Sequence, residues 1–312
     1  MGVSLRQTPA RSSSAQPPRS LRERLDRGFQ YWALAPALLL ILALTVYPLI
    51  DLLRMSVSTV AFTEGKILWT FSGLENLRTF LEDETFLIAI RNTVVFVIVT
   101  VVVEMLLGFT LALLVSQLSS WVSVSRAVLM VPILVPAIAI GTIWRLMYNF
   151  DFGIFNQLLK LVGLPPQNWN GSNVLALPSV MVVDIWHWTA FVFLLMLAGL
   201  ESLPVEPMEA ARVDGASNGQ LLRYIILPLM RPTIAVALLF RTIFAFKVFD
   251  EVFLLTGGGP GNATEVISLY IHRVFFDQSR MGYGALLSVI TIAVVGVFVV
   301  IYSRVNNARR SA

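Results

Sequence analysis

Apolar residues in this chain come in long unbroken runs, without the two-residue or seven-residue rhythms of a water-soluble fold. A helix needs roughly 20 mostly apolar residues to cross about 30 Å of hydrocarbon. Six runs are long enough, near residues 31–52, 87–114, 124–148, 178–200, 232–255 and 283–303. They predict an all-α, polytopic membrane protein with six transmembrane helices. Three of the intervening segments are loops too short for a separate enzymatic domain. In Arg54 to Phe86, Leu74, Leu77 and Leu81 recur at helical spacing with Phe80 beside them, which predicts an amphipathic helix outside the bilayer. Asn149 to Leu177 contains GLPPQNWNGSN, whose prolines and glycine exclude a span, and Gly257 to Gly282 opens with GGGPGNAT.

The segment between the fourth and fifth runs, about residues 201–231, is different, because it is polar and helical for twenty residues: EAARVDGASNGQLLRYIILP, Glu209 to Pro228. Pro204 and Pro207 suit the first turn of a helix that Met208 to Val213 continue. Asp214 and Gly215 supply a turn, Ser217 can cap a second helix from Asn218 to about Ile226, and Leu227 and Pro228 end it. An amphipathic hairpin lying on lipid headgroups would use similar residues.

Composition sharpens the class. Mean hydropathy is +0.76 and only 13% of residues are charged, more apolar side chain than a soluble core of 312 residues can bury. There is no cysteine, so disulfides and thiolate metal sites are excluded. Residues 1–29 hold six arginines and the run RSSSAQPPRS, and read as a disordered basic cytoplasmic tail. A signal peptide fits less well: Tyr31 to Ile50 is too long for its apolar core, and TVYP offers no small-residue cleavage site. Thirteen of the 23 lysines and arginines fall in the tails and the short connections on the side of the N terminus. That bias puts both termini, including the tail 306–312, and the 201–231 loop in the cytoplasm. The net charge of +4 therefore reflects topology, not nucleic-acid binding.

No catalytic or metal-binding motif is present. There is no GxxxxGK[ST] phosphate loop, GGGPGNAT lacks the lysine that would reach a nucleotide, and HExxH is missing. Ionisable residues within the apolar runs are the remaining candidates, since charge at membrane depth marks a pathway or a paired contact. Asp184, His187, Trp188 and Phe191 share one helix face. A carboxylate, an imidazole and two rings suit a sugar, whose hydroxyls need directional partners and whose C–H faces stack on aromatics; helix packing with an interfacial aromatic belt is the plainer alternative. In the fifth run, Lys247 can neutralise Asp250 or Glu251, while Arg241, Phe244 and Val248 form a neighbouring stripe. Two basic groups there suit an anionic or heavily hydroxylated solute. Glu104 and Arg145 are expected at span ends or in pairs within an assembly.

The loop also carries a pattern: EAA, three residues, Gly, then a distant LP, met by Glu209, Ala210, Ala211, Gly215, Leu227 and Pro228. Together with FSGLENLRTFL, RNTVVF, ILVPAIAIGTIWRLMYN and FKVFDEVFLLTGGGPGNAT, it resembles the permease subunits of binding-protein-dependent ABC importers, in the carbohydrate branch related to the maltose importer. The likeness extends over about residues 30–305. It implies a type I importer permease whose EAA loop docks on an ATPase subunit through Glu209, Ala210, Ala211, Asp214, Gly215, Leu227 and Pro228. It also implies a pathway drawn from Asp184, His187, Trp188, Phe191, Arg241, Phe244, Lys247, Val248, Asp250 and Glu251. The expected partners are a second, distinct permease, two ATPase subunits as a homodimer, and an extracytoplasmic solute-binding protein, at a bacterial inner membrane. ATP and Mg would sit on the ATPases and no cofactor on this chain. GGGPG would be a simple turn or a contact with the binding protein. A proton-coupled secondary transporter relaying through Asp184, His187, Asp250 or Glu251 is the rival, and leaves the loop unexplained.

Overall fold

A computed structural model of the chain describes residues 21–63, 66–117 and 122–308, so residues 1–20 of the expected basic tail and the last four residues lie outside the described part. The chain divides into two compact units, Met1–Asp51 and Leu52–Ala312. Helix α1, Leu21–Ser56, is 36 residues long and holds Pro36 and Pro48 in its interior; the span proper is Ala33–Ser56. It starts within the stretch assigned to the tail. At the other end helix α13, Met281–Ala308, runs into the residues assigned to the C-terminal tail.

Two strands, β1 (Ser58–Thr63) and β2 (Lys66–Phe71), pair antiparallel with Val60 opposite Trp69. The helical spacing of the loop begins only at Leu74 and carries no expectation for residues 58–71; STVAFT and KILWTF are rich in the β-branched and aromatic residues that strands favour. Only seven residues of the expected amphipathic helix form, α2 (Glu75–Leu81). Its Leu74 and Leu81 flanks stay 73% and 75% exposed, and it is held instead by the Asn76 amide, which donates to Ser56 O and Ser58 O.

Helix α3, Glu84–Ser116, crosses next and packs chiefly on α7, Ala176–Glu201. Its buried stripe is marked by polar and small residues: Asn92, Thr93, Thr100, Glu104, Gly108 and Ala112. Where the solvent is hydrocarbon, it is the polar groups and the close-packing small ones that must face protein. A Cβ on Gly108 would lie 2.6 Å from Val192 Cγ1, so these two helices touch backbone to backbone there.

Two of the predicted spans are broken. The third consists of α4 (Val122–Leu134) and α5 (Ala137–Met147), which meet at 91°. Pro136 lacks an amide hydrogen, disfavours helical geometry before it, and itself adopts φ −60°, ψ 140°. The fifth starts far earlier than residue 232 and ends earlier than 255. Helix α8 (Glu206–Val213) precedes α9 (Asn218–Leu221), a π-helical turn (Leu222–Ile226) and α10 (Leu227–Phe246), the last three forming one helix from Asn218 to Phe246. Lys247 to Phe249 leave the helix, and α11 (Asp250–Leu255) restarts with two acidic residues in its first turn, where the helix dipole favours them. The Val248 carbonyl freed by the break accepts the Ser268 hydroxyl. Helix α11 packs on α5, so the two interrupted spans meet.

The outer connections are compact. Helix α6, Ile154–Leu161, supplies Asn156, which donates to Phe150 O and Gln167 O and accepts from Gln167 N and Trp169 Nε1, folding GLPPQNW back on Tyr148 and Phe155. After α11, the GGGPGNAT turn has Gly257, Gly258 and Gly261 at positive φ. The Asn92 amide donates to the carbonyls of Asn262, Ala263 and Glu265, while Thr93 Oγ1 accepts from Ile267 N at the start of α12 (Ile267–His272). The RNTVVF and GGGPGNAT segments are thus one structural unit. Asp83 caps α3 through Phe86 N and accepts the hydroxyls of Tyr270 and Tyr283.

Replacing Asn92 with Ala strands the buried Glu265 carbonyl and leaves the half-buried carbonyls of Asn262 and Ala263 without this donor, and is expected to destabilise the turn by about 1–3 kcal/mol. Amide exchange over residues 257–266 should accelerate. Asn92→Asp, which cannot donate, should behave the same way.

Candidate functional site

Two regions carry the residues singled out above: the exposed 201–231 loop, and a charged cluster buried among α3, α7, α10 and α11. The loop is built locally. Pro207 occupies the first turn of α8, and the helix ends where Ala216 N returns to Ala211 O and Gly215 N to Arg212 O, the paired hydrogen bonds of a Schellman stop. Gly215 sits at φ +83°, a left-handed conformation that side chains disfavour, and nothing crowds its α-carbon. Ser217 and Gln220 then form a reciprocal capping box: Gln220 N donates to Ser217 Oγ and Ser217 N to Gln220 Oε1. Glu209, Ala210, Asp214 and Gly215 are exposed and Ala211 half-buried.

The second loop helix does not end at Leu227 and Pro228. It continues through them into α10, and the π-helical turn just before Pro228 widens the spiral where its ring would clash with the carbonyl four residues back. Both residues are half-buried at this junction, not at a terminus. Behind the loop lies a pocket of about 610 Å³, lined in part by Leu113, Leu200, Met208, Arg212, Leu221 and Ile226. The loop also leaves Val205, Val213 and Tyr224 exposed, Val213 by 88%.

The buried cluster centres on Arg241, which has no solvent exposure. Its guanidinium holds Glu104 of α3 through Nε and Nη2, the latter at 2.8 Å, and Asp184 of α7 through Nη2. Its Cζ lies 5.2 Å from the Trp188 ring centre, over the ring face. Three helices therefore converge on one side chain. Beyond them, His187 Nδ1 meets Glu251 Oε1 of α11 at 3.2 Å. The shared face expected for Asp184, His187, Trp188 and Phe191 is real, but it splits by depth. Asp184 and His187 are buried and paired, whereas Trp188 and Phe191 are half-buried.

Several expectations are thereby corrected. Arg241 and Val248 do not face a cavity: Arg241 is enclosed by two carboxylates, and Val248 lies in a core cluster with Val252 and Leu255. Lys247 pairs with neither Asp250 nor Glu251 among the described residues, because the helix breaks between them and destroys the i, i+4 geometry. Glu251 has His187 as its partner, while Lys247 and Asp250 are exposed. Glu104 is at no span end. It sits mid-helix, fully buried, where Arg145 is exposed. Glu104 could have been found from its place on the Asn92, Thr93, Thr100, Gly108 stripe.

Around Arg241 the aromatic side chains form a second tier. Trp188 stacks on Phe244 with ring centres 5.2 Å apart, Phe191 meets Phe244 edge-on at 5.9 Å, and Phe240 lies 6.2 Å from Phe244. Phe240, Phe244 and Lys247 line one side of α10, and Phe240 and Lys247 are exposed. Hydroxyl-rich solutes are met in this way, with C–H surface on rings and polar groups at the margin. Among the described residues no cluster of His, Cys, Asp or Glu could hold a metal.

The described residues form a helical membrane body with two broken spans and a capped, exposed loop. Its sequence matches, over residues 12–311, the model of the binding-protein-dependent transport system inner membrane component, and the chain belongs to that family. It is 36% identical over 281 residues to the trehalose/maltose transport system permease protein MalF of Thermococcus litoralis, covering 90% of this chain and 94% of that one. It is 34% identical to the sulfoquinovosyl glycerol transport system permease protein SmoG of Agrobacterium fabrum, covering 90% and 91%. A chain of the bacterial alginate ABC transporter, crystallised with an alginate pentasaccharide-bound periplasmic protein, shares the fold at TM-score 0.78 and 23% identity, covering 90% of this chain and 95% of that one. The protein is a permease component of the inner membrane, not an enzyme.

The Gly215 geometry makes a prediction. Gly215→Ala forces a side chain into the left-handed region at about 1–2 kcal/mol and should loosen the Schellman stop while membrane insertion is kept. Transport by the purified complex should fall, and Gly215→Asn, which tolerates that region better, should retain more of it.

Proposed function

We propose that this chain is one of two permeases of an ATP-driven importer for a sugar, sugar derivative or polyol, and that the 201–231 loop, on the cytoplasmic side, docks on an ATPase subunit. The observation that carries this reading is the unbroken helix from Asn218 to Phe246, which joins the exposed EAA loop directly to the buried cluster and the aromatic tier. Exposed Val213, Val205 and Tyr224 give the loop apolar surface for a partner, and exposed Glu209 gives it a carboxylate. Both termini lie in the cytoplasm, by the bias of basic residues.

ATP and Mg bind to a pair of like ATPase subunits; this chain holds neither. Closure of that pair moves the loops, and the permeases turn from inward to outward facing to take solute from an extracytoplasmic binding protein. The solute face on this chain is Trp188, Phe191 and Phe244, with Lys247 and Asp250 at its polar edge. Asp184, His187, Arg241, Val248 and Glu251 act behind that face. Withdrawal of Arg241 leaves Lys247 as the cation there, balanced by Asp250, which favours a neutral polyhydroxylated solute over a strongly anionic one. The sugar transport named for the relatives at 36% and 34% identity supports the solute class.

The test is uptake into proteoliposomes by the purified complex with its binding protein, over a panel of neutral disaccharides, polyols and sugar acids. Uptake should require ATP inside or outside according to orientation, and should survive a protonophore. Uptake that persists without ATP and collapses with the protonophore would overturn the reading. Trp188→Ala and Phe244→Ala should each lower maximal uptake about tenfold, the loss of one stacking contact of about 1.4 kcal/mol, with ATPase subunits still bound.

A further inference from the structure

We propose that the Glu104–Arg241–Asp184 cluster is a positioning brace that makes α3, α7 and α10 move as one body, so that displacement of the 201–231 loop reaches the solute face undiminished. The inference rests on the coupling reading above and names the residues through which that coupling passes.

The geometry argues against a cluster kept for stability. Three ionisable side chains at membrane depth lose their hydration, and mutual attraction only roughly offsets that loss; well-packed apolar residues of similar volume are often as stable or more so. What a planar guanidinium supplies instead is orientation. Arg241 presents Nε and Nη2 to Glu104 and Nη2 to Asp184, which fixes the angle of α10 about its axis against both neighbours, as a point charge cannot. Arg241 also lies within the last two turns of α10, just before the helix breaks after Phe246, the place where rotation would otherwise dissipate.

Two close approaches complete the body. One turn from Glu104, the Gly108 backbone meets Val192 and Phe193 of α7. Toward the loop, Gly199 of α7 lies against Thr233 and Met230 of α10, where a Cβ would be 2.7 and 2.9 Å from their side chains. The loop end and the brace end of α10 are thus both locked to α7. The Trp188 face stands on this body, one residue past His187 and over the Arg241 guanidinium, so its position follows that of the brace. Helix α11 is tied on separately through His187 and Glu251.

The test compares uptake per ATP hydrolysed in the purified, reconstituted complex for three variants. Arg241→Lys keeps the charge and removes the fork. Glu104→Gln/Asp184→Asn/Arg241→Met removes all three charges at nearly constant volume and leaves no ion unpaired. Both are expected to assemble, to keep hydrolysing ATP, and to transport about tenfold less solute per ATP, within the range of coupling between distant sites, with the half-saturating concentration of loaded binding protein unchanged. Tyr302→Phe, which removes only the hydrogen bond to Ala235 O of α10 and lies outside the brace and the solute face, should keep the wild-type ratio. A wild-type ratio in the Lys and triple variants would overturn the proposal, as would failure of the charge-free triple variant to assemble, since the cluster would then serve folding. Failure of the wild-type complex to show ATP-dependent uptake would refute the transport reading itself, a different outcome.

Discussion

A guanidinium buried among membrane helices sets the terms for the rest of this structure. Arg241 cannot shed its proton, so hydrocarbon surroundings require carboxylates at its side. Glu104 and Asp184 meet that requirement from two different helices, which dictates that α3 and α7 approach α10 at the same level. The approach in turn requires small residues beside the cluster, and Gly108 and Ala112 supply them on α3. In a bilayer, where apolar side chains gain nothing by leaving lipid, this combination of a polar centre and small flanks is what draws helices together.

The two broken spans answer a second requirement. Backbone that leaves a helix at membrane depth must find partners within the protein. At Pro136 the missing amide hydrogen removes one demand, and at Lys247 the Val248 carbonyl takes the Ser268 hydroxyl. The fragments α5 and α11 then pack on each other, with Trp144, Val252 and Leu255 in a shared core. The charges that flank the second break are divided by this packing. Glu251 turns inward to His187, while Lys247 and Asp250 stay exposed beside the aromatic tier.

Run length makes the membrane class and five of the helices legible in the sequence, and the local shape of the EAA loop is legible up to Ile226, because proline, glycine and serine act locally. Capping at Ser217 and the turn at Gly215 needed no tertiary information. The interior was less legible for a physical reason: pairing across helices has no sequence spacing. Lys247 and Glu251 stand four apart and looked like partners, yet the break between them delivers Glu251 to a residue 64 positions away. Hydropathy also smoothed over Pro136, since a bent span is as apolar as a straight one. The β1–β2 hairpin, Ser58 to Phe71, lies before the helical spacing that begins at Leu74, and its strand-favouring residues are its one local signal.

The π-helical turn at Leu222–Ile226 gives the misreading of Pro228 its significance. A proline inside a regular helix would remove a hydrogen bond and push against the preceding turn, which is why it reads as a stop. One widened turn lets the chain keep its direction and its remaining hydrogen bonds, so Asn218 and Phe246 belong to a single rod. A loop ending at Pro228 would have been a hinged appendage, able to move without consequence for the membrane body. Continuous with α10, the second helix of the loop leads straight to Arg241, whose guanidinium is paired with α3 and α7. The Asn218–Phe246 rod therefore reaches from the exposed loop to the buried charges, with the aromatic face standing over Arg241.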